Sequence, residues 1–316
     1  GLAPVMQGQR LALHHQRPHV LRTQRRLEDV LEHLGHELHL ACQRQPRLHI
    51  DGASNGIGGH ALHEGVVDVG ADAEHDGGVG FDGLDLKSLG ERSIAVCTVP
   101  DYGTTEVADH AIGMMLAMRR GLDRYDSLMR SDPAGKWRYL ESPCIDRLRG
   151  RTFGVFGLGR IGLAAARRAS GFDMNVVFYD PHLPDGVDLS TGYKRVTSSE
   201  ELFETADTVS IHSPHTDETR GAINANLLGR MKPGALVINT ARGPIVNLDD
   251  MYEALKAGTP AGAALDVLPV EPADTSHPLV KAYMAHEAWL EGRLMITPHA
   301  AFYSPPGLFD LRSKAA

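Results

Sequence analysis

The chain has 316 residues, three cysteines and a formal net charge of −8. That length predicts two domains with ample core. The acidic balance argues against a nucleic-acid partner, and no run of eighteen apolar residues marks a membrane span. Cys42, Cys97 and Cys144 stand at spacings that fit neither a disulfide framework nor a zinc site, so plain thiols and no metal are expected. Gly1 to Gln9 lack the charged-then-apolar order of an export signal, which predicts a cytoplasmic protein.

Taken from the start, the chain changes character near residue 77. Gly1 to Asp76 holds no Lys, Phe, Tyr or Trp, yet carries ten of the seventeen histidines. Its one good periodicity, Leu27, Val30, Leu31, Leu34 and Leu38, predicts an amphipathic helix. His33, His36 and His39 drift round that helix with no acidic or thiolate companion, a solvated face and not a metal site. Gly52–Gly58 imitates a cofactor turn, and Tyr252 with Lys256 imitates a Tyr-x-x-x-Lys pair. No apolar strand precedes Gly52, so both are set aside. Asp68 to Asp76 is too polar for a buried parallel strand.

Beyond Gly77 the pattern is that of an α/β protein. Strand-like runs at Ser93–Val99, Thr152–Phe156, Asn175–Tyr179, Thr208–His212, Ala235–Thr240, Gly262–Val267 and Leu294–Thr297 alternate with helix-like segments. Such alternation implies a parallel sheet wrapped by helices. One long helix is expected from Thr105 to Arg130, its apolar face serving the core or a subunit contact. Ser198 opens a capping box with Glu201, and Asn247 caps a helix from Leu248 to Lys256 that Gly258 stops.

The most specific signal is Gly157-Leu158-Gly159-Arg160-Ile161-Gly162, which joins a first strand, Thr152–Phe156, to a second, Asn175–Tyr179. Gly157 makes a tight turn, Gly159 lets backbone approach a pyrophosphate, and Gly162 allows close helix–strand packing. Arg160 and Ile161 begin the helix whose free N–H groups and positive end would receive the phosphates. Asp180 ends the second strand, where it would accept from a ribose 2′-hydroxyl and repel a 2′-phosphate. Pro181 and His182 follow it with no Arg, so NAD is favoured over NADP. His212 and His215, at the end of a strand, read as lining of the adenine side.

Several further segments occur in a telling order: Gly78–Asp82, Val99–Ala108, Asn239–Gly243, Ala264–Val267 through Glu271-Pro272, and Thr297–Ala301. With the glycine fingerprint they make residues 78–301 resemble the D-isomer-specific 2-hydroxyacid dehydrogenase family. The run His299 to Ser304, with Phe178 to Pro181, is similar to the branch that contains the C-terminal binding protein corepressors. The resemblance implies a Rossmann-type doubly wound NAD-binding domain at 100–295. It is inserted into a smaller flavodoxin-like substrate domain at 1–99 plus 296–316, whose residues 1–76 are atypical for the family. The stop at Ala316 would cut short the helix after the catalytic loop.

The resemblance also implies roles. His299 is the acid/base, Glu271 its partner, and Arg242 the group that holds the carboxylate and polarises the carbonyl. Backbone N–H groups around Val79 and Gly80 complete substrate binding. Asp266 faces the nicotinamide carboxamide, Thr104 the cofactor phosphate, and Thr240-Ala241 its ribose. The residue types suit these tasks, since an imidazole titrates near neutral pH and arginine presents a planar fork to a carboxylate. The implied activity is transfer of a hydride between NAD and a small D-2-hydroxy or 2-keto acid by a homodimer. A corepressor-like, NAD-sensing, peptide-binding regulator is the alternative. The stretch Asp274 to Gly292 reads as an insertion.

Overall fold

The computed structural model describes residues 66–68, 73–76, 80, 84–92 and 94–315. The chain divides after Ile57, and all of these residues lie in the second part. The expected helix at Leu27–Leu38, the three histidines beside it, the Gly52–Gly58 turn and Val79 lie outside them.

Seven strands form one wholly parallel sheet. They are β4 (Thr152–Phe156), β5 (Asn175–Tyr179), β6 (Lys194–Arg195), β7 (Thr208–Ile211), β8 (Leu236–Asn239), β9 (Gly262–Leu265) and β10 (Leu294–Ile296). Their spatial order is β10-β9-β8-β7-β4-β5-β6, so the chain reverses direction across the sheet between β4 and β7. In such doubly wound sheets the crevice at the carboxyl ends of the strands flanking the reversal is where ligands bind.

Side-chain alternation explains the two layers. Phe153, Val155, Val176, Phe178, Leu236 and Ile238 point to one face, with Ala165, Ala166 and Met115. Phe156, Val177, Val209, Ile211 and Val237 point to the other, with Leu202 and Phe203. The central strands are largely apolar on both faces because each face is covered.

The helices end where their residues dictate. α2 (Thr104–Arg120) follows α1 (Leu86–Glu91) and packs its apolar face into the core through Val107, Ala108, Ala111, Ile112, Met115 and Met118. The single helix expected over 105–130 is in fact two. Gly121 takes φ +61°, closes α2 by donating its N–H to Met118 O, and α3 (Leu122–Ser131) starts anew. Only glycine adopts that backbone at low cost. The Ser198 hydroxyl accepts from Glu201 N–H at the start of α6 (Ser199–Thr205), which comes after α4 (Arg160–Ser170) and α5 (Val187–Thr191). Asn247 accepts from Asp250 N–H at the start of α8 (Leu248–Ala257), which follows α7 (Ala225–Leu228) and ends on Gly258 at φ +91°.

At the amino-terminal edge of the sheet a buried guanidinium gathers several elements. Arg119 donates to Cys144 O, Gly234 O, Asp207 O and Thr208 Oγ1. Burial lowers the pKa of Arg119 and raises that of the adjacent Cys144 thiol.

A separate three-stranded sheet has the order β1 (Val66–Asp68), β2 (Ala73–Asp76), β3 (Ala95–Thr98). The Ala73–Asp76 segment, too polar to be expected as a buried parallel strand, forms a strand that pairs in parallel with β3 and antiparallel with β1. Pairing runs through backbone groups, and strand preference yields to context. The insertion-like stretch Asp274 to Gly292 is anchored in the core. It holds α9 (Pro278–Met284) and buries Leu279, Val280, Ala282 and Leu290 in the core. The last helix is α10 (Pro305–Ala315).

Candidate active site

The glycine turn links β4 to α4. Gly157 has φ +93°, and a β-carbon there would press 2.7 Å from Ser213 N. A β-carbon on Gly162 would overlap Gly157 O, so that glycine permits the helix to sit against the strand end. Gly159 opens onto free space and caps α4 without a side-chain acceptor, as Gly103 does for α2. The first N–H groups of α4 therefore have no side-chain partner at the cap and remain available to an anion. Arg160 and Ile161 are the first two residues of that helix. Asp180 lies at the end of β5, its carboxylate accepting from Leu158 N–H at 2.9 Å and His182 N–H at 3.0 Å.

Buried polar atoms cluster along the same edge. Among the described residues, Thr104 Oγ1, His212 Nδ1, Ser213 Oγ and Thr240 Oγ1 are shielded from solvent with no hydrogen-bond partner. Unmade bonds of this kind cost about 1–3 kcal/mol each, so a ligand rich in hydroxyl and phosphate oxygens fits the cleft. Thr240 and Ala241 follow β8, with Ala241 N–H donating to Asn239 Oδ1. His212 bonds Ser210 Oγ at 2.8 Å, and burial drives its pKa down to about 4.

Three loops then bring Arg242, Glu271 and His299 together. Asn239 Nδ2 donates to Arg242 O, holding the turn after β8. Gly243 lies directly on the Leu268-Pro269 backbone, which locks the arginine loop onto the loop after β9. Glu271 Oε1 accepts from Leu268 N–H at 2.9 Å, while its Oε2 meets His299 Nδ1 at 2.7 Å. Burial pushes the Glu271 carboxyl upward. The bonds from His299 and Leu268 and the charges of His299 and Arg242 outweigh it, and the net shift is downward. A β-carbon on Gly80 would overlap the Arg242 guanidinium, so the Gly80 backbone closes this corner of the site.

His299 adopts φ +52°, a conformation rare for a residue with a side chain. Asp266 secures it. Its carbonyl accepts from His299 N–H at 2.7 Å, and its buried carboxylate accepts from Ala300 N–H at 3.0 Å and Ala301 N–H at 2.9 Å. Thr297 Oγ1 donates to the same carboxylate, and His110 Nε2 lies 3.1 Å from Thr297 Oγ1. Sequence reasoning missed His110, whose only signal was a polar residue beside the apolar face of α2. Tyr252 and Lys256 of the discarded motif contact each other, the Lys256 ammonium 4.9 Å from the Tyr252 ring centroid.

The parallel sheet, its reversal point and the uncapped glycine turn define a dinucleotide-binding α/β protein. Residues 112–301 match the family described as D-isomer specific 2-hydroxyacid dehydrogenase, NAD binding domain. The chain belongs to that family, and the matched part is its NAD-binding domain. It is similar to D-3-phosphoglycerate dehydrogenase of Archaeoglobus fulgidus, 39% identical over 71% of this chain and 40% of that protein. Glyoxylate reductase of Thermofilum pendens is 40% identical over 64% of this chain and 60% of the relative. The chain thus spans 40% and 60% of the length of these two curated relatives. Among solved structures it resembles D-lactate dehydrogenase of Aquifex aeolicus complexed with NAD and lactic acid. The TM-score is 0.64 at 30% identity, covering 77% of this chain and 73% of that one.

Proposed function

We propose that this protein is an NAD-dependent oxidoreductase that interconverts a small D-2-hydroxy acid and its 2-keto acid. The observation that carries this reading is the 2.7 Å contact between His299 Nδ1 and Glu271 Oε2, beside the charge of Arg242. A carboxylate on Nδ1 fixes the ring tautomer and leaves Nε2 for proton exchange with substrate. On oxidation, Nε2 takes the hydroxyl proton as the carbonyl forms; on reduction it returns that proton to the new alkoxide. Arg242 binds the substrate carboxylate and polarises the carbonyl through its planar fork, with the Gly80 backbone beside it. The chemistry that NAD supplies when bound is to accept or return the C2 hydrogen with its electron pair.

Gly157, Gly159, Arg160, Ile161 and Gly162 receive the pyrophosphate in this reading, with Thr104. Asp180 receives the adenosine ribose, Thr240 and Ala241 the other ribose, and Asp266 the nicotinamide side. The unmade bonds of Thr104 and Thr240 support these assignments. In this reading residues 1–99 plus 296–316 are the substrate domain, with 1–76 atypical, and 100–295 are the NAD-binding domain. The exposed Leu122, Trp137 and Tyr139 support a homodimer. No helix among the described residues is long and apolar enough to cross a membrane, and we place the protein in the cytoplasm. The corepressor-like alternative requires a peptide cleft in the substrate domain, and the relatives named above favour the enzyme. Reduction of a panel of 2-keto acids, with NADH and NADPH side by side, tests the proposal. Turnover of at least one acid is expected, with NADH preferred; full occupancy by NADH without turnover of any acid would refute it.

A further inference from the structure

The loop that carries Asp180 runs from the end of β5 to Gly186, without regular structure of its own. Something outside it must fix its course. Arg195, in β6, lies beneath it with its side chain about three-quarters buried. Its Nη2 donates to Asp180 O at 2.6 Å and Leu183 O at 3.0 Å, and its Nη1 to Pro184 O at 3.3 Å. One guanidinium thus ties three carbonyls within five consecutive residues. Only arginine presents several N–H donors in a rigid plane suited to this. From above, the Asp180 carboxylate is drawn toward the glycine turn by Leu158 N–H. The loop is therefore stretched between two anchors, the turn and Arg195.

An arginine so near the adenosine side would ordinarily count as a partner for a 2′-phosphate. Here its donors face the loop carbonyls instead. We propose that Arg195 is a positioning residue for cofactor selection, holding the Asp180 carboxylate against the glycine turn, where it accepts from a free 2′-hydroxyl and excludes a 2′-phosphate. This rests on the assignment of Asp180 to the adenosine ribose.

The test is calorimetric titration of the full chain with NADH and with NADPH, without substrate, for the parent protein, Asp180→Ala, Arg195→Ala and Arg195→Lys. Lysine keeps the charge and the buried stem but cannot span three carbonyls. The parent should prefer NADH, and both Arg195 variants should narrow that preference by roughly tenfold, the equivalent of one charge-assisted hydrogen bond. Thermal melts should show Arg195→Lys folded, which keeps the comparison valid even where Arg195→Ala does not fold. A uniform loss of affinity for both cofactors, or an unchanged preference in Arg195→Lys, overturns the positioning role. Parent-like preference in Asp180→Ala overturns the Asp180 assignment and the proposal with it. A collapsed preference there, beside unchanged Arg195 variants, defeats the Arg195 claim alone.

Discussion

Gly243 lies flat against the carbonyl of Leu268, leaving no room for even a methyl group. That contact couples the loop bearing Arg242 to the loop bearing Glu271, because Leu268 N–H also holds the Glu271 carboxylate. Gly243→Ala would force backbone against backbone, where no side chain can swing aside. The expected cost is about 1–3 kcal/mol of stability, with kcat/KM for keto-acid reduction falling further than the stability loss explains. Urea unfolding and steady-state kinetics on one preparation check this; an unchanged kcat/KM would uncouple the two loops.

Glu271 should set the orientation of the catalytic ring. Its Oε2 meets His299 Nδ1 at 2.7 Å, which fixes the tautomer and leaves Nε2 toward the substrate. Glu271→Gln removes the carboxylate that holds this tautomer, and kcat for keto-acid reduction should fall more than KM rises. His299→Ala should cost about 10²–10⁴ in kcat. Glu271 itself titrates below its ordinary range, so its support of the fold is present above that range and fades as pH falls through the lowered value. A kcat in Glu271→Gln equal to that of the parent protein removes this role.

Asp266 is the brace of the strained turn. Asp266→Asn turns one acceptor into a donor facing the amide of Ala300 or Ala301. An unmade buried bond should cost about 1–3 kcal/mol, with kcat reduced more than KM as the φ +52° turn relaxes. Kinetics of Thr297→Val, which deletes only the hydroxyl donated to the same carboxylate, should show a smaller effect of the same kind. Equal changes in kcat and KM in both variants would mean that the brace does not act on His299.

His212 makes the fold acid-sensitive. Burial lowers its pKa from 6.5 to about 4, so between those values the unfolded chain binds the proton that the folded one refuses. Stability should therefore fall as pH drops from about 6.5 toward 4, by on the order of 3 kcal/mol in all and about 2 kcal/mol by pH 5. His212→Asn should flatten that slope, measured by denaturant titration at pH 7 and pH 5. A slope equal to that of the parent protein would assign the acid sensitivity to other groups.

Local signals were read well where burial on both faces left few options. Thr152–Phe156 and Asn175–Tyr179 appear at their expected bounds, and Gly258 ends α8 as its conformation demands. Gly121 went unnoticed because Leu122 continued the apolar rhythm across the break. The polarity of Asp68–Asp76 argues against a buried strand there, and it is backbone pairing with β3 that makes β2 visible. Arg242, Glu271 and His299 were named through resemblance. The brace of Asp266 and His110, like the grip of Arg195 on its loop, depends on contacts between residues far apart in the chain, which no periodicity records.

All the groups given chemical roles sit where the strands finish. Arg119 sits where β7 and β8 begin, fastening Asp207 and Gly234 from below. Robustness and reactivity are thereby lodged at opposite rims of one platform. Alterations at the lower rim can weaken the scaffold while leaving the intact molecules as competent as before, and changes at the upper rim can retune turnover without loosening what carries it.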